Sequence, residues 1–319
     1  MRISMGAALI AAVTLAMSGV VSSAQAKDCD RDCLTGMVDT YIAAMVAHNP
    51  GKAPLAKGLK TVENIKRINP GEGLWKTITA GPTTFKIYVA DPVSQQVGFM
   101  GMIEDDGKPA QLGLRLKLEN GRIVEAEHMI AFPREASLKN LQEPRRAFHT
   151  KIYPGYTDSR ERMIYIAKSY YDALDLNNGS LAPFADDCER HENGMQTTGL
   201  PPRVPEGMEE YATLGVQGCA AQLDSQVFQY IDTIDHRRVM IADTVTGLAL
   251  GFSHFHHSFK THEFPRVGIP GVATSKMEFN PFDLPAMHIF KIWGGKIHEI
   301  EAMGISVPYN SPTGWEDDK

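Results

Sequence analysis

A divergent internal repeat is the strongest constraint on what this chain can fold into. The apolar spacing of Met37–Val46 returns in Met163–Leu174, and each stretch ends in an Asn-containing loop, Asn49-Pro-Gly or Asn177-Asn-Gly. Apolar residues three and four apart mark one face of a helix. Glu63-Asn64 then matches Glu192-Asn193, Ile87–Asp91 matches Val239–Asp243, and Gly98-Phe99 matches Gly251-Phe252. Finally, Leu118–Glu127 matches Ile292–Glu301, with the order kept throughout. A repeat of this kind implies two copies of one folding unit.

The offset between the copies grows in steps. It is 129 at Glu63/Glu192, 152 at Ala90/Ala242, 153 at Gly98/Gly251 and 174 at Gly121/Gly295. The second copy therefore carries two insertions, one around Thr197–Gly218 and one around Ser258–Pro285. Long loops inside compact domains often line binding sites, so the second copy is the first place to look for function.

Residues 1–26 read as a secretory signal peptide. A basic Met1-Arg2 precedes an apolar run from Met5 to Val21, and Ala24 and Ala26 form a small-x-small cleavage site. Cleavage after Ala26 removes Arg2 and takes the net charge from −6 to −7. No later segment has 18 unbroken apolar residues, so no membrane contact is expected after processing. The expected location is the periplasm or the medium. There an even number of cysteines favours bridges, and the local pairing Cys29–Cys33 with Cys188–Cys219 is preferred among three connectivities. A non-helical turn is expected at Cys29–Cys33, because a bridge within a regular helix would strain it.

Each copy reads as helices followed by alternating strands punctuated by Asn120-Gly121, Gly294-Gly295 and similar turns. The expected fold class is α+β: two tandem cone-shaped units, each with helices packed on a curved antiparallel sheet around an apolar pocket. The first unit spans 27–132, the linker 133–157 and the second unit 158–319. The helix, the Glu-Asn pair, the meander and the closing Gly-Lys-Ile strand resemble the SnoaL-like, ketosteroid isomerase-like (nuclear transport factor 2-like) superfamily. The stretches Cys29–Leu34, Gly71–Thr77, Asp235–Arg238 and Val307–Trp315 resemble an uncharacterised secreted family with two such units. That resemblance implies a fold hosting isomerases, cyclases, dehydratases, lyases and plain binding modules. It does not choose among them.

Histidine carries the chemical argument, since eight of eleven lie in the second copy. Residues two apart on a strand share a face, which puts His254 and His256 together with Phe252, and His257 on the other side. His288 is expected beside that row, with His191-Glu192 supplying a relay. Such a group suits general acid–base chemistry near neutral pH. As an alternative, His254, His256 and His262 could hold a metal. In the first copy Glu63, Trp75 and Arg115 are candidate substrate contacts, with His236 and Phe252 in the second. Glu63-Asn64 could instead brace the strand entry, and Trp75 could be core. Arg237-Arg238 is expected to pair on the surface with Asp235 and Asp243.

Several classes are disfavoured. No nucleotide-binding glycine loop and no Gly-x-Ser-x-Gly elbow occur. The acidic charge and scattered aromatics do not suit nucleic acid. The expected function is a cofactor-independent lyase, dehydratase or isomerase. It would act on a small, aromatic or polycyclic hydroxylated substrate, with His254, His256 and His288 as acid or base and His191 and Glu192 as relay. The alternatives are a non-catalytic periplasmic small-molecule binder, a metal-dependent enzyme, and a module that oligomerises through the exposed faces of its sheets.

Overall fold

The computed structural model describes residues 28–199, 217–269 and 271–316. The expected signal peptide and most of the first insertion, residues 200–216, lie outside them. In the first unit, helix α1 (Arg31–Val46) is followed by β1 (Leu55–Glu63), β2 (Lys66–Ile68), a single turn α2 (Leu74–Thr77) and β3 (Ile78–Ala80). The meander β4 (Lys86–Asp91), β5 (Gln96–Asp105), β6 (Lys108–Glu119) and β7 (Arg122–Ala131) completes it. The second unit runs α3 (Arg160–Asp175), β8 (Phe184–Glu192), β9 (Met195–Gln196), α4 (Cys219–Asp224), β10 (Thr233–Asp243) and β11 (Leu248–His257). It continues with a small hairpin, β12 (Glu263–Pro265) and β13 (Thr274–Lys276), then β14 (Phe282–Trp293), β15 (Lys296–Gly304) and β16 (Val307–Pro308).

The two sheets share one topology. Strands run β2-β1-β7-β6-β5-β4 in one and β9-β8-β15-β14-β11-β10 in the other. All pairings are antiparallel except β1 with β7 and β8 with β15, so each sheet is a meander closed by one parallel strand. The chain is thus α+β, two curved sheets with a long helix on each. The β12–β13 hairpin is the second insertion, placed where the first unit has only the Asp106-Gly107 turn.

Local chemistry repeats at the offsets read from the sequence. Asp30 caps α1 by accepting from Cys33 N at 2.9 Å, and Ser159 caps α3 by accepting from Arg162 N at 3.2 Å. Asn64 and Asn193 take left-handed φ values of 57° and 47° and receive the strand amides of Ile130 and Gly304. This explains the Glu-Asn pairs: asparagine tolerates that conformation and its amide completes the strand. The hairpins at Asn120-Gly121 and Gly294-Gly295 have positive φ at both central positions, as the tightest hairpin turns require.

The bridges Cys29–Cys33 and Cys188–Cys219 both form. The first differs from expectation in its setting. Cys29 precedes the cap and Cys33 lies in the first turn of α1, so the bridge spans a helix start rather than a non-helical turn.

Three apolar clusters hold the molecule. Leu34, Val38, Tyr41, Ile42 and Met45 of α1 pack on the concave face of the first sheet, and Met163, Ile166, Tyr170, Tyr171 and Leu174 of α3 pack on the second. The third cluster joins the opposite faces of the two sheets: Ile87, Val89, Met100 and Met102 against Ile241, Leu248, Leu250 and Met287. The sheet faces expected to be free for another copy are therefore packed on each other. Glycine permits the close approach. A Cβ at Gly98 would lie 2.2 Å from Leu250 Cδ1, and one at Gly113 would lie 2.6 and 2.8 Å from the sulfurs of Met287 and Met303.

The packing is isologous, as in a two-fold dimer. Asp91 accepts its own turn amides, Val93 N and Ser94 N, on Oδ1, and takes Arg160 Nε at 2.8 Å on Oδ2. Its repeat mate Asp243 accepts Val245 N and Thr246 N on Oδ1, and takes Arg31 Nε at 2.9 Å on Oδ2. Arg31 and Arg160 each begin the long helix of the other unit. Both carboxylates are nearly inaccessible, at 1% and 2%. Asp91→Ala is expected to cost about 3–5 kcal/mol, the usual effect of breaking a buried pair, and Asp243→Ala a similar amount. Urea unfolding checks this, and a loss below about 1 kcal/mol, the range of an exposed pair, would contradict it.

Candidate functional site

The concave face of the second unit is closely filled beside α3, where an apolar pocket is expected. In the second unit, the space under α3 beside Tyr170, Arg190 and Leu223 is about 10 Å³, too small for an organic ligand. His288 sits on this side, fully enclosed. It hydrogen-bonds with Tyr171 at 3.3 Å and stacks on Phe290 at 5.8 Å. The expected place beside His254 and His256 is therefore not the one it takes. β14 pairs with β11 so that Gly251 faces His288 and Asp283 faces His256, and the intervening parity turns His288 to the helix. Burial drives its imidazole down to about 3.

The first unit has a counterpart with the partners exchanged between strands. His128 of β7 lies opposite Leu114 of β6, whereas His288 of β14 lies opposite Ala302 of β15. His128 Nε2 meets Tyr41 Oη at 2.9 Å and its Nδ1 meets Glu63 Oε2 at 3.2 Å. Glu63 also accepts from Leu74 N at 2.9 Å, so it braces the entry of α2 rather than facing a ligand. Trp75 is 1% exposed and edge-on to Tyr41 at 5.2 Å, which makes it core rather than a stacking platform.

Other expected contacts are also redistributed. Arg115 lies on the opposite face of its sheet and binds Glu125, Glu127 and Gln96. Arg238 reaches across from the second unit to Glu127, and Arg237 pairs with Asp172 and Asp175; neither makes the expected surface pair with Asp235 and Asp243. His191 pairs with Glu189 at 2.6 Å and not with Glu192, because neighbours on a strand point to opposite faces. His262 stacks on Phe259 in the inserted segment, outside the His254 group.

The structure does bring His254, His256, Phe252 and His236 together, on the seam between the units. The imidazoles of His254 and His256 stack at 5.0 Å and 18°, as residues two apart on β11 should. Asp283 bridges them. Its carboxylate is wholly buried, lies 2.8 Å from His256 Nδ1 and 3.3 Å from His254 Nε2, and accepts the Ser311 amide at 2.9 Å. Asp235 lies 3.0 Å from His256 Nε2. Beside the group is a cleft of about 20 Å³, lined from the first unit by Asn64, Glu127 and Met129 and from the second by His236, Phe252 and His254. Water fits there.

Environment separates the two imidazoles. Burial lowers His254 below the ordinary histidine range despite Asp283. At His256 burial opposes the charge, but Asp235 and Asp283 together raise it above that range. One ring thus favours the neutral form while its stacked neighbour favours the charged one. Asp283 was missed in the sequence. Its parity opposite His256 could have revealed it, but only with the strand register in hand.

Two straps close the seam. The C-terminal segment after β16 crosses to the first unit, where Trp315 lies 5.0 to 5.8 Å from the guanidinium groups of Arg67, Arg115 and Arg238. Thr313 of this strap lines the cleft. The linker makes the reciprocal crossing and places Arg145 on Glu299 and Glu301 of the second unit.

Two helix-on-sheet units packed back to back define an α+β protein. Residues 156–304 match the family model of a domain of unknown function (DUF8021). No curated protein matches the sequence. Among solved structures, a candidate polyketide cyclase from Xanthomonas campestris pv. campestris is 15% identical, with a TM-score of 0.29 over 45% of this chain and 90% of its own. A candidate SnoaL-like polyketide cyclase from Jannaschia is 8% identical, with a TM-score of 0.28 over 49% of this chain and 90% of its own. AclR, a candidate hydroxylase from Streptomyces galilaeus, is 8% identical, with a TM-score of 0.29 over 47% and 83%. Likenesses this slight carry no weight for activity.

The buried histidines set an acid limit on stability. His257 is pushed down to about 4 and His288 to about 3, chiefly by burial. The unfolded chain therefore takes up these protons first as pH falls below about 6.5. Their contribution is complete above that value and is lost as pH falls toward about 4 for His257 and about 3 for His288. His288→Leu, the residue the first unit carries at Leu114, is expected to flatten the slope by about one proton, or 1.4 kcal/mol per pH unit. Chemical unfolding between pH 4 and 7 checks this, and an unchanged slope would contradict it.

Proposed function

We propose that the seam cleft is a general acid–base site acting on a small hydroxylated, aromatic substrate by elimination or isomerisation. His254 acts as the base and His256 as the acid. The observation that carries this is geometric: one fully buried carboxylate, Asp283, bridges two stacked imidazoles, of which His254 lines the cleft and His256 stacks on it. The opposed protonation preferences of the rings support it, since a working acid and base need environments that push them apart. His254 accepts a proton from carbon, the electron pair forms the new double bond, and His256 protonates the departing hydroxyl, which leaves as water. Asp283 holds both rings and Asp235 holds the charged one. The small cleft requires the strap at Thr313 to move for substrate entry. A periplasmic or secreted location follows from the expected signal peptide. Both disulfides, and the lack of a membrane-crossing helix among the described residues, are consistent with it.

A second reading rests on the same atoms. His254, His256 and Asp283 offer donors within 4.8 Å of one another, a spacing that can hold a divalent metal. His254 Nε2 lies 3.3 Å from Asp283 without hydrogen-bond alignment, and His256 reaches the same carboxylate through Nδ1 at 2.8 Å.

Titration of the imidazole protons by NMR separates the readings, together with elemental analysis of the untagged protein. The acid–base account expects His256 to titrate above about 6.5 and His254 below it, without stoichiometric metal. On a substrate found by thermal-shift screening, it expects His254→Gln to lower turnover by about 10²–10⁴-fold while keeping ligand stabilisation. One metal per chain, lost in Asp283→Ala, would overturn it in favour of the metal site.

A further inference from the structure

Outside the seam, a buried lysine is held by backbone carbonyls rather than by a salt bridge, with Glu299 and Asp243 acting on it only from beyond ion-pair distance. Lys291, on β14, is 2% exposed. Its Nζ donates to two backbone carbonyls, Thr150 O at 2.7 Å and Thr246 O at 2.6 Å. Among the described residues no carboxylate lies within ion-pair distance of it, and no group takes its third proton. Burying an ammonium without a salt-bridge partner is costly.

Lys291 forms part of the wall of the largest cavity among those described, about 560 Å³, between the linker and the second sheet. That volume is in the range of small-molecule sites, about 300–1,000 Å³. Its wall also carries three aromatic residues, Tyr153, Tyr156 and Trp293, and two further cations, Arg146 and Lys151. No acidic residue lines it. The indole of Trp293 is fixed, stacked on His298 at 3.7 Å and 7°, while Asp187 holds His298 at 2.7 Å. Tyr156 meets the indole edge-on at 5.9 Å. The first unit offers no such arrangement, since Lys117, the repeat mate of Lys291, is paired with Glu119 and Glu125.

We propose that this cavity binds a flat aromatic carboxylate, its ring against Trp293 and Tyr156 and its anion toward Lys291, Arg146 and Lys151. Aromatic walls contribute the apolar area, and the three cations select the charge. The site is separate from the seam cleft and does not depend on the chemistry proposed there.

Isothermal titration of the full mature chain with 2-naphthoate tests it, with 2-naphthalenemethanol as the uncharged counterpart. The expected result is saturable binding of one naphthoate per chain, with the alcohol at least about tenfold weaker. Trp293→Ala and the exposed double variant Arg146→Glu with Lys151→Glu should each weaken naphthoate by about tenfold or more. His254→Gln should leave it unchanged. Equal affinity for acid and alcohol, insensitivity to Trp293→Ala, sensitivity to His254→Gln or no binding at all would each overturn the proposal.

Discussion

The structure depends on a pair of exchanged carboxylate–guanidinium contacts. Asp91 and Asp243 each close their own β-turn with one oxygen and hold the first residue of the other unit's helix with the second. Neither carboxylate can be dry without that arginine. Each unit therefore needs the other to satisfy its own turn, and the sheet faces meet with a fixed register. Gly98 and Gly113 are explained by the same contact, for a side chain at either would collide with the opposite sheet. The straps extend the exchange, with Arg145 crossing one way and Trp315 the other.

Placing the sheets back to back changes where a site can form. The concave faces are filled by α1 and α3, and their polar residues are tied into closed networks such as Tyr41–His128–Glu63. The seam is less tightly filled at one end, where the repeat is broken. The positions matching His254, His256 and Asp283 in the first unit are Gly101, Ile103 and Pro109. The cluster thus belongs to the second unit alone, next to its inserted hairpin, while the opposite wall of the cleft comes from the first.

Much of the fold was legible because the repeat fixes it twice. Helix spacing, the Asn-Gly and Gly-Gly turns and the Glu-Asn pairs depend on local backbone chemistry that leaves a direct mark on sequence. The pairing of His254 with His256 was legible for the same reason, being a matter of strand parity. What failed were the statements that needed register or the packing of one unit on the other. His288 faces the helix rather than His254 and His256, and the sequence does not show which residue of β14 lies opposite His256. Arg115 and Arg238 looked like ligand or surface residues because their partner, Glu127, is reached only across or between strands. Trp75 in a glycine-rich loop gave no sign that Tyr41 would cover it.

The exchanged contacts and the shared core make the two units one cooperative body joined through their sheet faces. Differential scanning calorimetry of residues 27–319, with Arg160→Ala beside the unaltered protein, tests this. A single transition is expected in both, with calorimetric and van't Hoff enthalpies in agreement and the whole transition moved to lower temperature by the substitution. Two resolved transitions, with only the second unit's displaced, would contradict it.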